Sequence, residues 1–112
     1  MSNAAATRLW LAQRASAAVL ALCVAVHLAT MILAVRGGLS ATEILNRTRG
    51  SSAWAAFYAV FVLSVSIHVP IGLRTVAGEW LAWRGRAADL TCLAVGIALL
   101  VLGALAIAAV TR

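Results

Sequence analysis

The chain has 112 residues, of which 64% are hydrophobic and only 11% are charged. A soluble domain needs more charged residues than this to cover its surface, so the composition excludes an ordinary soluble globular protein. The net charge of +6 comes from arginines at the ends of apolar segments. That position indicates anchoring at a membrane surface and argues against nucleic-acid binding.

Three segments without any charged side chain predict transmembrane helices, at residues 15–35, 52–73 and 90–111. Each is 21 or 22 residues long, and a helix of that length rises about 30 Å, the thickness of a bilayer's hydrocarbon core. We therefore predict an all-α membrane protein with three transmembrane helices. It would form a single membrane-anchor domain over residues 1–112, with spans at about 13–35, 52–76 and 88–110. The first segment has full span length, so we expect it to remain as a helix rather than to be removed as a signal peptide.

The loop after the first span predicts a short helix at the membrane interface. It begins with two glycines that stop the preceding helix, and Ser40 followed by Glu43 forms a capping-box pattern. The arginines give the orientation, because five lie on the side of the N-terminus and four on the other side. By the positive-inside rule, this distribution favours a cytoplasmic N-terminus.

Polar residues recur at helical spacing in the first two spans, so each span has one polar face. In the first span the polar stripe consists of Gln13, Ser16, Cys23, His27 and Thr30. In the second span it consists of Ser64, His68, Gly72, Thr75 and Glu79. The third span has a stripe of small residues instead, which predicts close helix packing at Cys92, Gly96 and Gly103.

Each polar face carries one histidine, His27 in the first span and His68 in the second. Ionisable side chains inside a membrane are costly and usually functional, so we interpret both histidines as candidate cofactor ligands. The alternative, that each ring is a hydrogen-bonded interior imidazole, stays open at this stage.

The residues around His68 favour haem among the cofactors that an imidazole binds. Zinc or copper needs three or four converging donors, and the sequence has no cluster of carboxylates or thiols, whereas haem needs only one or two axial histidines. Gly72, one turn after His68, leaves that face without a side chain that blocks a flat ring. Arg74 lies about 9 Å nearer the membrane surface, where a guanidinium can pair with a haem propionate or polarise a quinone carbonyl.

The two histidines are predicted to lie at different depths. His27 follows Arg14 by 13 residues, and His68 precedes Arg74 by six. With both arginines at one height, the depths of the two rings differ by about 10 Å. Because two axial ligands of one iron must be level, each histidine would need a partner from another chain, or the two would serve two haems.

Two motifs in the sequence resemble those of a known family. "HVPIGLR", residues 68–74, is similar to the H-x-x-x-G-x-R motif of the cytochrome b membrane-anchor subunit of succinate dehydrogenase and fumarate reductase, of the C-subunit type. "QRASA", residues 13–17, resembles the H-R-x-S-G motif of the same family, with Gln13 and Ala17 replacing its histidine and glycine. A second departure is Thr75, where a histidine often follows the arginine of the first motif.

The resemblance implies a subunit that is not catalytic alone and passes electrons between an iron–sulfur subunit and membrane quinone. His68 would be an axial ligand of haem b, Arg14 and Ser16 would lie near the quinone substrate, and Arg74 near the quinone or a propionate. Members with two haems carry a histidine in each of the first two spans, so His27 is the candidate ligand of a second haem. The implied partners are a flavoprotein, the iron–sulfur subunit and a second small membrane subunit, at the bacterial inner membrane.

Two alternative functions stay open at the level of the sequence. The first is a haem-free structural anchor of the same complex, in which both histidines are structural. The second is a small multidrug-type transporter, a class with four spans and an essential glutamate within the first. The present chain has three predicted spans, and Glu43 and Glu79 both fall in or near loops, which argues against the transporter.

Overall fold

The computed structural model describes residues 2–112 and consists of four α-helices, with no strand in that range. They are α1 (Asn3–Arg36), α2 (Ala41–Thr48), α3 (Ser52–Trp80) and α4 (Arg86–Thr111). By length and composition, α1, α3 and α4 can each cross a membrane. This confirms the predicted all-helical architecture with three spans and a short helix in the first loop. The long helices extend past the uncharged segments, most clearly α1, which begins at Asn3.

Local capping signals set the helix boundaries. Gly37 is the C-cap of α1, and Gly38 follows with a positive φ of 65°. The predicted capping box of α2 is present: the Ser40 N–H donates to Glu43 Oε2 at 2.6 Å, and the Glu43 N–H donates to Ser40 Oγ at 3.2 Å. Hydrogen bonds with Ser40 hold the pKa of the Glu43 carboxyl below its usual value. The bond with the Ser40 backbone contributes most, and the bond with its side chain contributes second.

Helix α3 packs against both α1 and α4. We call the contact surfaces the α1–α3 seam and the α3–α4 seam. The start of α1, the end of α3 and the start of α4 lie together at what we call the cavity end. The opposite end, the α2 end, holds α2. There Thr48 Oγ donates to the Val110 carbonyl at 2.6 Å, and the Gly50 N–H donates to the Thr111 carbonyl at 2.8 Å. These bonds supply donors to carbonyls of the last turn of α4 that have no partner within the helix.

The α3–α4 seam is closely packed through glycines, as the small-residue stripe of the third span predicts. A Cβ atom added at Gly103 would lie 2.5 Å from Val62 Cγ1, and one added at Gly96 would lie 2.8 Å from Pro70 Cγ. Pro70 lies within the unbroken helix α3 and has no N–H to offer the Ser66 carbonyl. The Pro70 ring fills the notch at Gly96, so this proline is part of the contact between α3 and α4.

Candidate functional site

An open cavity of about 980 Å³ lies at the cavity end and is lined by residues of α1, α3 and α4. Its volume is at the upper end of the range for small-molecule sites. We call it the Arg74 cavity. Its polar and aromatic lining includes Trp10, Gln13, Arg74, Thr75, Glu79, Trp83, Arg84 and Asp89. It therefore combines apolar walls with charged groups near its rim, an arrangement suited to an amphipathic ring.

An ion pair between α3 and α4 forms part of the wall of this cavity. Arg74 Nε lies 2.6 Å from Asp89 Oδ1, and Arg74 Nη2 donates to Asp89 Oδ2 at 3.3 Å. Both side chains are about half exposed, at 48% and 46%. Asp89 is not among the site residues predicted from the sequence, because it stands just outside the third uncharged segment. The available signal was its place as the acidic residue in the first turn of α4.

His68 lies half-buried in α3, and its Nδ1 atom is buried without a hydrogen-bond partner among residues 2–112. One turn further on, a Cβ atom at Gly72 would lie 3.0 Å from Gln13 Nε2. The sequence predicted open space for a flat ring beside Gly72. In the structure the amide of Gln13 occupies that space. The predicted roles of His68 as an iron ligand and of Gly72 beside the haem stay predictions.

His27 has a different environment at the α2 end. Its ring lies edge-on to Tyr58 and Phe61, with centroid distances of 5.8 and 5.7 Å, and its Nδ1 is 3.4 Å from the Tyr58 hydroxyl. A cavity of about 240 Å³ adjoins it, lined also by Arg47 and Thr48. Tyr58 precedes His68 by ten residues, about 15 Å along α3. This separation agrees with the expectation that one iron is not shared by both histidines.

The two residues predicted near quinone from the second motif do not line the Arg74 cavity. Arg14 is exposed, and its guanidinium lies over the Trp10 ring at 5.4 Å from the centroid. Ser16 is buried, and its hydroxyl donates to the Gln13 carbonyl at 3.1 Å within α1. Their contact with quinone stays a prediction, while Arg74 does reach the cavity.

Across residues 2–112, no three His, Cys, Asp or Glu side chains come close enough to hold a metal ion directly. Haem does not require such a cluster, because the porphyrin supplies four ligands and the protein only the axial ones. One histidine from this chain is chemically sufficient for one face of the iron.

The profile of a protein family described as the succinate dehydrogenase/fumarate reductase transmembrane subunit matches residues 1–110. Neither the search of curated proteins nor that of solved structures gave a match. The family match covers nearly the whole chain, including α1, α3 and all but the last residue of α4.

Proposed function

The chain belongs to the succinate dehydrogenase/fumarate reductase transmembrane subunit family, and from that premise we propose that it binds haem b and quinone. It is a multi-pass membrane protein with the role of a membrane anchor. In the proposed function it passes electrons between an iron–sulfur subunit and membrane quinone. Its partners in the proposed complex are a flavoprotein that carries the flavin and the succinate site, an iron–sulfur subunit, and a second small membrane subunit.

The half-buried imidazole of His68 carries the haem proposal, because ionisable side chains inside a membrane are costly and usually functional. Its buried Nδ1 has no hydrogen-bond partner among residues 2–112, which leaves Nδ1 available for a positioning partner while Nε2 would bind the iron. His68 would bind the haem iron through Nε2, and the companion membrane subunit would supply a further ligand. When bound, the haem supplies one-electron transfer. The protein supplies the ligand and the surrounding apolar helices.

The surroundings of His27 support one haem rather than two. Its ring already has the Tyr58 hydroxyl and two aromatic edges as neighbours. The adjoining cavity, about 240 Å³, is below the range of about 300–1,000 Å³ typical for sites of small organic ligands. These features favour the interior-imidazole interpretation for His27.

The Arg74 cavity is the proposed quinone site. Quinone reduction builds negative charge on the ring oxygens, and a guanidinium that faces them stabilises that charge. Asp89 orients Arg74 through two contacts, and Trp10 and Trp83 offer apolar surface to the ring. In the proposal this end of the molecule faces the cytoplasm at the bacterial inner membrane, as the arginine distribution favours, and the soluble subunits would dock there.

A reduced-minus-oxidised optical spectrum of the purified complex tests the haem proposal. We expect a haem α-band that disappears in His68→Ala and persists in the matched variant His27→Ala. A wild-type complex that transfers electrons without an α-band would establish the haem-free anchor instead.

Steady-state kinetics with a water-soluble quinone test whether the Arg74 cavity is the quinone site. Removal of a charge-stabilising donor typically costs about 100-fold in kcat, so we expect such a loss in Arg74→Ala. Arg47→Ala, at the opposite end, is the control. Equal rates in the two variants would exclude the Arg74 cavity as the site.

A further inference from the structure

Two buried polar atoms of complementary chemistry lie unpartnered in the α1–α3 seam. They are Gln13 Oε1 on α1 and His68 Nδ1 on α3. An amide oxygen only accepts hydrogen bonds, whereas an imidazole nitrogen that carries the proton donates one. Buried polar groups in proteins are nearly always paired directly or through an ordered water molecule. Their common location therefore calls for one explanation.

The helix geometry places the Gln13 side chain beside Gly72, which lies one turn after His68 on α3. The Gln13 amide reaches the backbone of α3 at Gly72, and Gly72 lies four residues after His68 on the same helix face. On α1, Ser16 is buried one turn after Gln13 and adds a hydroxyl to the same stretch of the seam. A water molecule needs two to four polar partners to be held in an interior, and this stretch provides them.

We propose that Gln13 accepts a hydrogen bond from the Nδ1–H of His68 through one buried water molecule, or directly after a rotation of the Gln13 side chain. Neutral imidazole carries one proton, so a proton fixed on Nδ1 leaves the lone pair on Nε2. Partners of this kind orient ligating histidines and raise their basicity, and their loss costs about 10- to 100-fold in metal affinity. Gln13 is thus a positioning residue for the iron ligand. The inference rests on the proposed haem site at His68.

This role also gives a physical reason for the glutamine at position 13. The family motif that residues 13–17 resemble has a histidine there. A histidine there can donate or accept according to its tautomer, whereas the amide always presents an acceptor. An acceptor facing Nδ1–H increases the electron density on the ligand nitrogen, which favours ferric over ferrous iron. Gln13 would therefore lower the midpoint potential of the haem.

The test uses the purified complex with Gln13→Leu, which removes the acceptor without changing charge, and Gln13→Glu, which keeps an acceptor. In Gln13→Leu we expect haem transfer to apomyoglobin to be about 10- to 100-fold faster, a higher midpoint potential and an altered low-spin EPR signal. In Gln13→Glu we expect slow haem transfer to be restored. Thr30→Val is the matched control on α1, because Thr30 donates only to the His27 carbonyl of its own helix.

The outcomes separate this inference from the haem proposal itself. A wild-type complex without haem, or a His68→Ala variant with an unchanged spectrum, overturns the proposed function. Wild-type haem that depends on His68, together with an unchanged potential, EPR signal and transfer rate in Gln13→Leu, overturns only the role of Gln13. Where Gln13→Leu does not assemble, Gln13→Met, which is also neutral and without a strong acceptor, decides by the same three measurements.

Discussion

The two seams of α3 differ in kind. The α3–α4 seam is closed by glycines, where Gly96 receives Pro70 and Gly103 receives Val62 at distances that leave no space for a side chain. The α1–α3 seam instead contains polar side chains, and Gln13 and His68 keep buried atoms without partners. One helix thus presents a densely packed surface on one side and a pair of complementary unpartnered atoms on the other. The third buried atom without a partner among residues 2–112, Ser66 Oγ, lies one turn before Pro70.

The difference indicates where the chain has been shaped by stability and where by function. Lipid offers no hydrophobic drive for helix association, so transmembrane helices associate through close backbone approach at small residues. Unsatisfied polar atoms oppose association and persist where they serve another purpose. The α3–α4 seam therefore holds the helices together, and the α1–α3 seam contains the histidine that we propose as the haem ligand.

The largest expected effect comes from filling the glycine contact of the α3–α4 seam. Gly103→Leu would push a side chain into Val62, and overpacking of this kind costs about 1–3 kcal/mol in the free energy of unfolding. Ala104→Leu, on the exposed side of α4, is the control and should change little. Titration with SDS in mild detergent measures both variants. Equal stability of the two would show that the seam is looser than the glycine contacts indicate.

A smaller effect is expected from the ion pair at the cavity end of the same seam. Asp89→Asn leaves Arg74 without its partner, but both side chains are about half exposed, and exposed pairs contribute roughly 0.2–1 kcal/mol. We expect a loss of unfolding free energy below about 1 kcal/mol. The loss should shrink further at high salt, because screening weakens exposed pairs. A loss as large as that of Gly103→Leu would mean that charge rather than packing holds this seam.

The smallest effect concerns His27 and its hydroxyl partner. Tyr58→Phe removes the contact with His27 Nδ1 and keeps the aromatic ring, and a hydrogen bond between transmembrane helices contributes about 0.6 kcal/mol on average. We expect a loss of about that size in the same SDS titration, with the haem spectrum unchanged. A spectrum that changes in Tyr58→Phe would instead make His27 a ligand of a second haem.

Local patterns accounted for much of the architecture. The absence of charge over bilayer-length segments predicted the three spans, and Ser40 with Glu43 predicted the start of α2. The small-residue stripe at Gly96 and Gly103 predicted close packing in α4, although not that Pro70 and Val62 on α3 are its partners. Such features depend on residues that are neighbours in the sequence, so they can be predicted from the sequence alone.

Only part of the candidate site could be predicted from such local patterns. Helical spacing identified the polar faces, and the motif around His68 distinguished it from His27. Only the packing of α1 on α3 gave His27 a tyrosine and left His68 Nδ1 unpaired. The cavity wall formed by Arg74 and Asp89 joins residues 15 positions apart on two helices. This contact forms because the loop between α3 and α4 brings the start of α4 beside the end of α3. No local sequence pattern specifies that arrangement.

By itself, therefore, the sequence determined that this protein has three helices able to cross a membrane and which faces of the first two are polar, because hydrophobicity and helical period act within a single segment. The tertiary structure decided which polar atoms find partners, that Gln13 rather than open space lies against Gly72, and that Arg74 meets Asp89. Those outcomes depend on the relative shift and rotation of packed helices, which are set by contacts between segments that are distant in the chain.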